Sequence, residues 1–294
     1  MVSDEALTIK SSLEREELDE TPITEKREAW EDYALSVEAN SSVSSKTLSL
    51  SGVPCMLHTP LEYENSRKLI IYIHGGGLVE GSTITSREWC SRLSLAAGQQ
   101  VISIGYRLAP EHPYPAALDD VFAVYQAVQR HKDFDLISSI GADSTGSLLA
   151  LQLLIKLRAN NIDLPASCFF LSPSIDLTFS GSSMEKNAEI EPLVSKEVLI
   201  HYATLYAGTA QLDSPDISPL FADLAGLPPM HVHVDKDELL LDDSVRLEEQ
   251  INKSGGKVTV EVSSGLWHVW PTWGDFPEAR LATQQIVNHI NLWS

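Results

Sequence analysis

The sequence has few basic residues, few cysteines and no long apolar run. Its 294 residues include 21 lysines and arginines against 41 aspartates and glutamates, for a formal net charge of −20. This charge argues against binding to nucleic acid or to an anionic membrane, because both repel an acidic protein. The longest apolar stretch, 148–155, is interrupted by Gln152 and is too short to cross a bilayer.

The cysteines and the first residues predict a cytoplasmic protein. Cys55, Cys90 and Cys168 are far apart and form no Cys-x-x-Cys motif, a pattern typical of buried thiols in a reducing compartment. The segment from Met1 to Glu5 is acidic and lacks the basic and apolar regions of a signal peptide.

Short apolar runs alternate with helical patterns along most of the chain. The runs predict strands at 69–73, 101–106, 136–141, 168–171, 231–234 and 258–262. Between and after them the pattern predicts helices at 86–97, 116–130, 145–159, 243–253 and 278–291. This alternation predicts an α/β fold with a mostly parallel central sheet and helices on both faces.

Two segments do not follow the alternation. Residues 1–40 hold 12 acidic and four basic side chains. Within them, 24–37 is predicted to be an amphipathic helix with an apolar stripe of Trp30, Tyr33, Ala34 and Val37. Residues 175–220 contain no obvious strand and one helical pattern, which Gly208 closes. Insertions at the carboxyl ends of parallel strands commonly form lids over a site.

Two motifs predict a nucleophile and an oxyanion-binding loop. His74-Gly75-Gly76-Gly77 follows a predicted strand, so its N–H groups are placed to stabilise an oxyanion; the alternative is a flexible turn. Ala142-Asp143-Ser144-Thr145-Gly146 lies between a strand and a helix, like the nucleophile elbow G-x-S-x-G, with Ala142 in the first glycine position. A serine at a helix start can also be a simple cap.

Two further loops predict a base and an acid. Gly265-Leu266-Trp267-His268-Val269-Trp270 follows the last predicted strand, where His268 is well placed to deprotonate a serine at the same sheet edge. The acidic run 235–243 follows the preceding strand and offers a carboxylate to orient the histidine. The order serine, carboxylate, histidine is that of the α/β-hydrolases.

From about residue 68 to the C-terminus, the sequence resembles the hormone-sensitive-lipase family of α/β-hydrolases, its bacterial esterases in particular. The likeness rests on these motifs, on Ser218-Pro219-Leu220 with Leu227-Pro228-Pro229, and above all on Tyr106-Arg107-Leu108-Ala109-Pro110-Glu111-His112-Pro113-Tyr114-Pro115-Ala116-Ala117. The resemblance implies an α/β-hydrolase fold with a helical cap. Residues 1–45 would form the N-terminal part of the cap and 46–294 the catalytic domain, with a cap insertion at about 175–220.

The resemblance also implies the site residues. The family's acidic loop, D-x-L-x-D, aligns on Leu240 and Asp242 with Glu238 as the acid. Alignment on Asp237-Glu238-Leu239 instead makes Asp237 the acid but leaves one residue too many. We therefore expect a triad of Ser144, Glu238 and His268, with Asp237 as the alternative acid. The expected oxyanion donors are the N–H groups of Gly76, Gly77 and Thr145.

Two departures from the family pattern affect the expected rate and substrate range. Thr145 replaces the family's usual alanine, and its branched side chain is expected to stiffen and crowd the oxyanion site. Asp235 stands where the family tends to have glycine. Glu111 and His112 are expected to give structural support.

These assignments predict a serine carboxylesterase that hydrolyses soluble short-acyl esters through an acyl-enzyme. The same triad would serve an amidase or a sugar deacetylase, and the sequence does not separate these activities. A non-catalytic small-ligand receptor is disfavoured, because the chain has a candidate for every member of the triad. A true lipase acting on aggregated fat is disfavoured by the large negative charge.

The remaining expectations concern cofactors and assembly. No metal or cofactor is expected, although His231 and His233 share one face of a predicted strand. Trp267 and Trp270 are expected either to line the pocket or to pack in the core. The family resemblance also suggests a homodimer formed through a sheet edge.

Overall fold

A computed structural model describes residues 2–38 and 40–294; Met1 and Ala39, both in the first expected cap segment, lie outside the described residues. The strands are β1 (Val43–Leu50), β2 (Val53–Pro60), β3 (Lys68–Ile73), β4 (Gln100–Ile104), β5 (Leu136–Asp143), β6 (Ser167–Leu171), β7 (Met230–Asp235) and β8 (Val258–Ser263). The helices are α1 (Asp4–Ser11), α2 (Ile23–Ser36), α3 (Arg87–Ala97), α4 (Ala116–Gln129), α5 (Gly146–Ala159), α6 (Ser183–Lys186), α7 (Lys196–Ala207), α8 (Leu241–Lys253) and α9 (Pro277–Trp293).

The strands form one sheet in the order β1-β2-β4-β3-β5-β6-β7-β8. β1 pairs with β2 and β2 with β4 in antiparallel fashion, whereas the pairs from β4 to β8 are parallel. The predicted α/β fold with a mostly parallel sheet is therefore confirmed. The six predicted strands correspond to β3–β8, while the β1–β2 hairpin was not predicted.

Helices cover both faces of the sheet, as the continuous apolar strands require. In β3, Leu69, Ile71 and Ile73 point into the larger core cluster, whose helical partners are α4, α5, α7 and α8. Ile70 and Tyr72 point the other way and pack with residues of α3 and α9. All five side chains are fully buried, because neither face of this strand meets solvent.

The two irregular segments lie next to each other. α7 coincides with the predicted helical pattern, and Gly208, at φ +61°, ends it by donating its N–H to the Thr204 carbonyl. The N–H of Glu16 donates to the Leu193 carbonyl at 2.8 Å, and this links the N-terminal segment to the insertion between β6 and β7. The boundary expected at residue 45 falls within β1.

None of the helices in the described ranges is long and apolar enough to cross a membrane.

Candidate active site

Ser144 occupies a sharp turn between β5 and α5. Its φ is +47°, a left-handed value that is strained for a residue with a side chain, and its N–H donates to the Leu171 carbonyl at 2.9 Å. A Cβ at residue 146 would overlap the carbonyl oxygens of Ile73 and His74, so the turn requires Gly146. The predicted strand–serine–helix geometry is present.

His268 joins the serine to a buried carboxyl. Its Nε2 lies 3.0 Å from Ser144 Oγ, and its Nδ1 lies 2.9 Å from Glu238 Oε2. The exposed fractions are 7% for Ser144, 3% for His268 and 1% for Glu238. The structure therefore brings together the three residues expected to form the triad, at hydrogen-bonding distances that suit proton transfer.

Donors surround the second oxygen of Glu238. Its Oε1 accepts hydrogen bonds from Ser172 Oγ at 2.8 Å and from the Asp235 N–H at 2.7 Å. Ser172 Oγ also accepts the Val269 N–H at 2.9 Å, and this fastens the histidine loop to the acid. Asp237, the alternative acid, makes its polar contacts with Asp235 and Lys236. The geometry favours Glu238.

Asp235 ties the acid loop to the histidine loop. Its Oδ2 accepts hydrogen bonds from Ser263 Oγ at 2.8 Å and from the Leu266 N–H at 3.0 Å. A glycine at this position would offer neither bond. The departure from the family pattern thus adds support to the loop that carries His268.

Burial sets the protonation of the central pair. It lowers the pKa of His268 below its ordinary value, so the imidazole is neutral and able to accept a proton at neutral pH. Burial raises the pKa of Glu238, and the hydrogen bonds from Asp235 and Ser172 oppose that rise. Because these partners donate to its oxygens, the contacts of Glu238 suit the ionised form.

The glycine loop lies beside Ser144. Gly76 and Gly77 have φ values of +105° and +64°, which side chains rarely adopt. Within residues 2–38 and 40–294, no acceptor takes the N–H groups of Gly76, Gly77 or Thr145. These three donors are free to bind an oxyanion. The Thr145 side chain is buried, and its hydroxyl has no partner among the described residues.

Asp143 connects the elbow to the glycine loop. The Tyr72 hydroxyl donates to its Oδ1 at 2.6 Å, and a Cβ at residue 75 would overlap its carboxylate. Position 75 therefore requires a glycine, because any side chain there would collide with the Asp143 carboxylate. Burial raises the pKa of Asp143, and the Tyr72 hydrogen bond lowers it.

A pocket of about 380 Å³ opens above Ser144 and His268. The apolar stripe predicted on 24–37 forms part of its wall, together with residues of α3, α7 and the glycine loop. Among the residues that the structure describes, the lining of the pocket has five acidic side chains and no lysine or arginine: Glu14, Glu16, Glu80, Glu88 and Asp143. The N-terminal helix α2 is thus part of the site.

The sequence left the roles of two tryptophans and of a pair of histidines undecided, and the structure places all four outside the pocket lining. Trp267 and Trp270 are buried in a cluster with Phe276 and the α1 residue Ala6, so their role is packing. His231 Nε2 lies 3.1 Å from His233 Nε2 in a buried pair outside the pocket lining.

The sequence-based interpretation missed Ser172 as a part of the site. Ser172 follows the carboxyl end of β6, the edge at which Ser144 and Glu238 also lie, and that position was the available signal. Glu111, expected to give structural support, has a carboxylate that pairs with Arg27 of α2 at 2.9 Å.

Comparisons with known proteins agree with this geometry. A family model described as alpha/beta hydrolase fold matches residues 70–272. An esterase of Acinetobacter venetianus is 40% identical over 231 residues, which are 76% of this chain and 74% of that protein. An acetyl-hydrolase of Streptomyces hygroscopicus is 34% identical over 218 residues, 74% of this chain and 73% of that protein.

A solved structure extends the similarity to the whole chain. It is the crystal structure of an esterase from the bacterial hormone-sensitive lipase family, with a TM-score of 0.90 and 31% identity, and the match covers 100% of this chain and 99% of that one. The chain therefore belongs to the α/β-hydrolase family and, within it, to the hormone-sensitive-lipase group of bacterial esterases.

Proposed function

We propose that the protein is a serine carboxylesterase with Ser144, His268 and Glu238 as its catalytic triad. The observation that carries the proposal is the hydrogen-bonded series Ser144–His268–Glu238, of which Ser144 and His268 line a pocket. Three nearby N–H groups have no acceptor among the described residues: those of Gly76, Gly77 and Thr145. The esterase names of the relatives support the same reaction class.

Acylation begins when His268 Nε2 accepts the hydroxyl proton of Ser144 and the oxygen attacks the ester carbonyl. The Glu238 carboxylate accepts a hydrogen bond from His268 Nδ1–H and stabilises the imidazolium that forms. The N–H groups of Gly76, Gly77 and Thr145 bind the negative oxygen of the tetrahedral intermediate. His268 then gives its proton to the leaving alcohol, and the acyl group remains on Ser144.

Deacylation repeats these steps with water. His268 takes a proton from a water molecule, which attacks the acyl-enzyme, and the collapse of the second intermediate returns the proton to Ser144. The buried imidazole begins both halves in its neutral form, which a general base requires.

The pocket supports neutral, short-acyl substrates. Its volume of about 380 Å³ is near the lower end of the 300–1,000 Å³ that is usual for ligand pockets. Its acidic lining repels esters that carry a carboxylate. The relative named acetyl-hydrolase fits a preference for small acyl groups.

The proposal includes a division of the chain, a location and an assembly. Residues 1–45 and about 175–220 act as the cap of a catalytic domain formed by 46–294. The buried Cys55, Cys90 and Cys168 suit the cytoplasm, a location that fractionation of the native cells tests. The exposed edge strand β8 suits a homodimer, which light scattering tests.

Steady-state kinetics on p-nitrophenyl esters from acetate to palmitate, with matched aryl amides, test the function. We expect the highest kcat/KM for acetate to hexanoate and much slower amide cleavage. Ser144→Ala should lower kcat by roughly 10⁴-fold or more with an unchanged melting temperature. Full esterase activity in this variant would refute the assignment, and faster amide cleavage would make the protein an amidase.

A further inference from the structure

A second buried carboxyl lies in the insertion, outside the expected triad. Glu191 precedes α7 and is 2% exposed. Its Oε1 accepts the Leu193 N–H at 3.0 Å, whereas its Oε2 has no hydrogen-bond partner among the described residues. An unpaired buried carboxyl oxygen costs free energy, so this arrangement calls for a compensating interaction.

The segment that carries Glu191 is attached to both catalytic loops. On one side, Asn187 Nδ2 donates to the carbonyl of Glu238 at 2.7 Å, and the Glu191 N–H donates to the Asn187 carbonyl at 2.9 Å. On the other side, Leu193 packs in the cluster that contains Trp267, the neighbour of His268. These contacts hold Glu191 between the acid loop and the histidine loop.

The charges around Glu191 are those of the catalytic pair. Burial raises the pKa of Glu191 to about 7, and the charge of Glu238 raises it too, while the charge of His268 and the N–H groups of Leu193 and Leu239 lower it. In the other direction, burial lowers the pKa of His268, and the charges of Glu191 and Asp143 raise it. Besides Glu238, which binds the ring directly, the charges of Asp143 and Glu191 therefore act on the imidazole.

The unpaired oxygen distinguishes Glu191 from the other two carboxyl groups. Glu238 binds His268 directly, and Asp143 is held by the Tyr72 hydroxyl. A neutral Glu191 would hold a proton on an oxygen that has no acceptor in the described residues, whereas an ionised Glu191 attracts a positively charged His268. The positive charge of the imidazolium that forms in the reaction therefore favours the ionised form of Glu191.

We propose that Glu191 is a positioning residue for the ester hydrolysis, whose carboxylate stabilises the His268 imidazolium while Ser144 carries the tetrahedral intermediate. The inference rests on the proposed function, because an imidazolium forms only if His268 accepts the serine proton. Glu191 acts through His268 and contacts no reacting atom.

A step in the pH profile follows from this proposal. The imidazolium favours the ionised form of Glu191, so the transition state holds that proton less tightly than the free enzyme does. The kcat/KM of the wild type should therefore rise by about 3- to 10-fold across the ionisation of Glu191 near pH 7.

The test compares kcat/KM for p-nitrophenyl butyrate from pH 5.5 to 9 in the wild type and in Glu191→Gln. Glutamine keeps an acceptor for the Leu193 N–H but has no charge, so its profile should lack the step. We expect it to match the wild type at pH 5.5 and to be about 3- to 10-fold slower at pH 8.5. Glu189→Gln, an exposed change in the same segment, is the control and should keep the wild-type profile.

Glu191→Asp separates charge from packing. It keeps the carboxylate and should retain the step, whereas a purely structural role predicts that this shorter side chain is at least as damaging as glutamine. The proposal is overturned if Glu191→Gln keeps the step, or if it loses the same factor at every pH. If the wild type shows no Ser144-dependent hydrolysis at any pH, the proposed function itself fails.

Discussion

At the scale of single residues, the two candidates for the triad acid, Asp237 and Glu238, are adjacent in the sequence. Glu238 is 1% exposed and lies 2.9 Å from the His268 ring, whereas Asp237 is partly exposed and contacts Lys236. The alignment on Leu240 and Asp242 favoured Glu238 for a reason of sequence alone. The geometry adds a physical reason, because the favoured side chain reaches the imidazole.

Replacing each carboxylate by its amide tests this choice. Glu238→Gln should lower kcat by roughly 10²- to 10⁴-fold, since the imidazolium loses its charged partner and the histidine its preferred tautomer. Asp237→Asn should change kcat by less than about threefold, because the residue is partly exposed and remote from the ring. Kinetics with p-nitrophenyl butyrate and a melting curve for each variant measure both effects. A larger loss in Asp237→Asn would contradict the assignment.

Local motifs pointed to Ser144 and His268, but they did not point to Ser172 or Glu191. Ser172 and Glu238 are 66 positions apart, and Glu191 belongs to a segment without a recognisable motif. Their roles depend on burial and on hydrogen bonds between distant parts of the chain. The position of Ser172 after β6 places it at the same sheet edge as Ser144, but a single sequence contains no local signal for the contacts themselves.

At the scale of secondary-structure elements, the side chain of Arg27 fastens α2 to the segment that follows the glycine loop. Arg27 donates to the carbonyls of Val79 and Ala109, both at 2.7 Å, and pairs with Glu111. The same helix places its apolar stripe on the pocket wall. Arg27 therefore connects this wall to the segment that follows the glycine loop.

Arg27→Met tests that coupling, because it keeps a long apolar side chain and removes all the donors. We expect KM for p-nitrophenyl butyrate to rise roughly 3- to 10-fold with a smaller change in kcat, since binding depends on the wall and the chemistry does not. Arg67→Met is the control: it breaks an exposed ion pair with Asp135, and its KM should stay at the wild-type value. An unchanged KM in Arg27→Met would show that α2 holds its place without this contact.

Strands that are buried on both faces could be predicted from the sequence, whereas the largely polar strand β1 could not. β3 to β7 were predictable because their runs are largely apolar and both faces of these strands are covered, whereas β8 is an edge strand in which valines alternate with polar side chains. The β1–β2 hairpin lies at the sheet edge, and β1 is Val-Ser-Ser-Lys-Thr-Leu-Ser-Leu, with most of its side chains accessible. A largely polar edge strand has no strong periodic signal, so the hairpin was missed.

At the scale of the whole molecule, the buried Asp243 and the half-buried Asp242 make stability depend on pH in opposite directions. Burial raises the pKa of Asp243 to about 7, although its carboxylate accepts the N–H groups of Ile175 and Asp176. Burial also acts on the neighbouring Asp242, but hydrogen bonds from Ser182 and Ser183 outweigh it and lower the pKa.

The sign of each contribution follows from proton binding. A raised pKa means that folded Asp243 keeps a proton which the unfolded chain releases. Its contribution to the free energy of unfolding is therefore full below the ordinary aspartate pKa and is lost as the pH rises through about 7. Asp242 has a lowered pKa, so its contribution is present above the ordinary value and is lost as the pH falls.

Urea unfolding at pH 5 and pH 8 tests this pair. From pH 5 to pH 8, the free energy of unfolding should fall less in Asp243→Asn than in the wild type. The two slopes should differ by at most about 1.4 kcal/mol per pH unit. Asp242→Asn, the matched neighbour, should be less stable than the wild type at both values, because its favourable charge is gone. Equal slopes for the wild type and Asp243→Asn would contradict the buried-carboxyl account.

Covalent labelling of Ser144 tests the central claim most directly. A fluorophosphonate reacts with a serine only when a neutral base and an oxyanion site activate it. After incubation and digestion, mass spectrometry should find one phosphonyl group, on the peptide with Ser144, and hydrolysis of p-nitrophenyl butyrate should cease in proportion to labelling. Ser144→Ala should remain unlabelled. A wild-type enzyme that hydrolyses the ester while the label is absent or on another residue would contradict the assignment of Ser144 as the nucleophile.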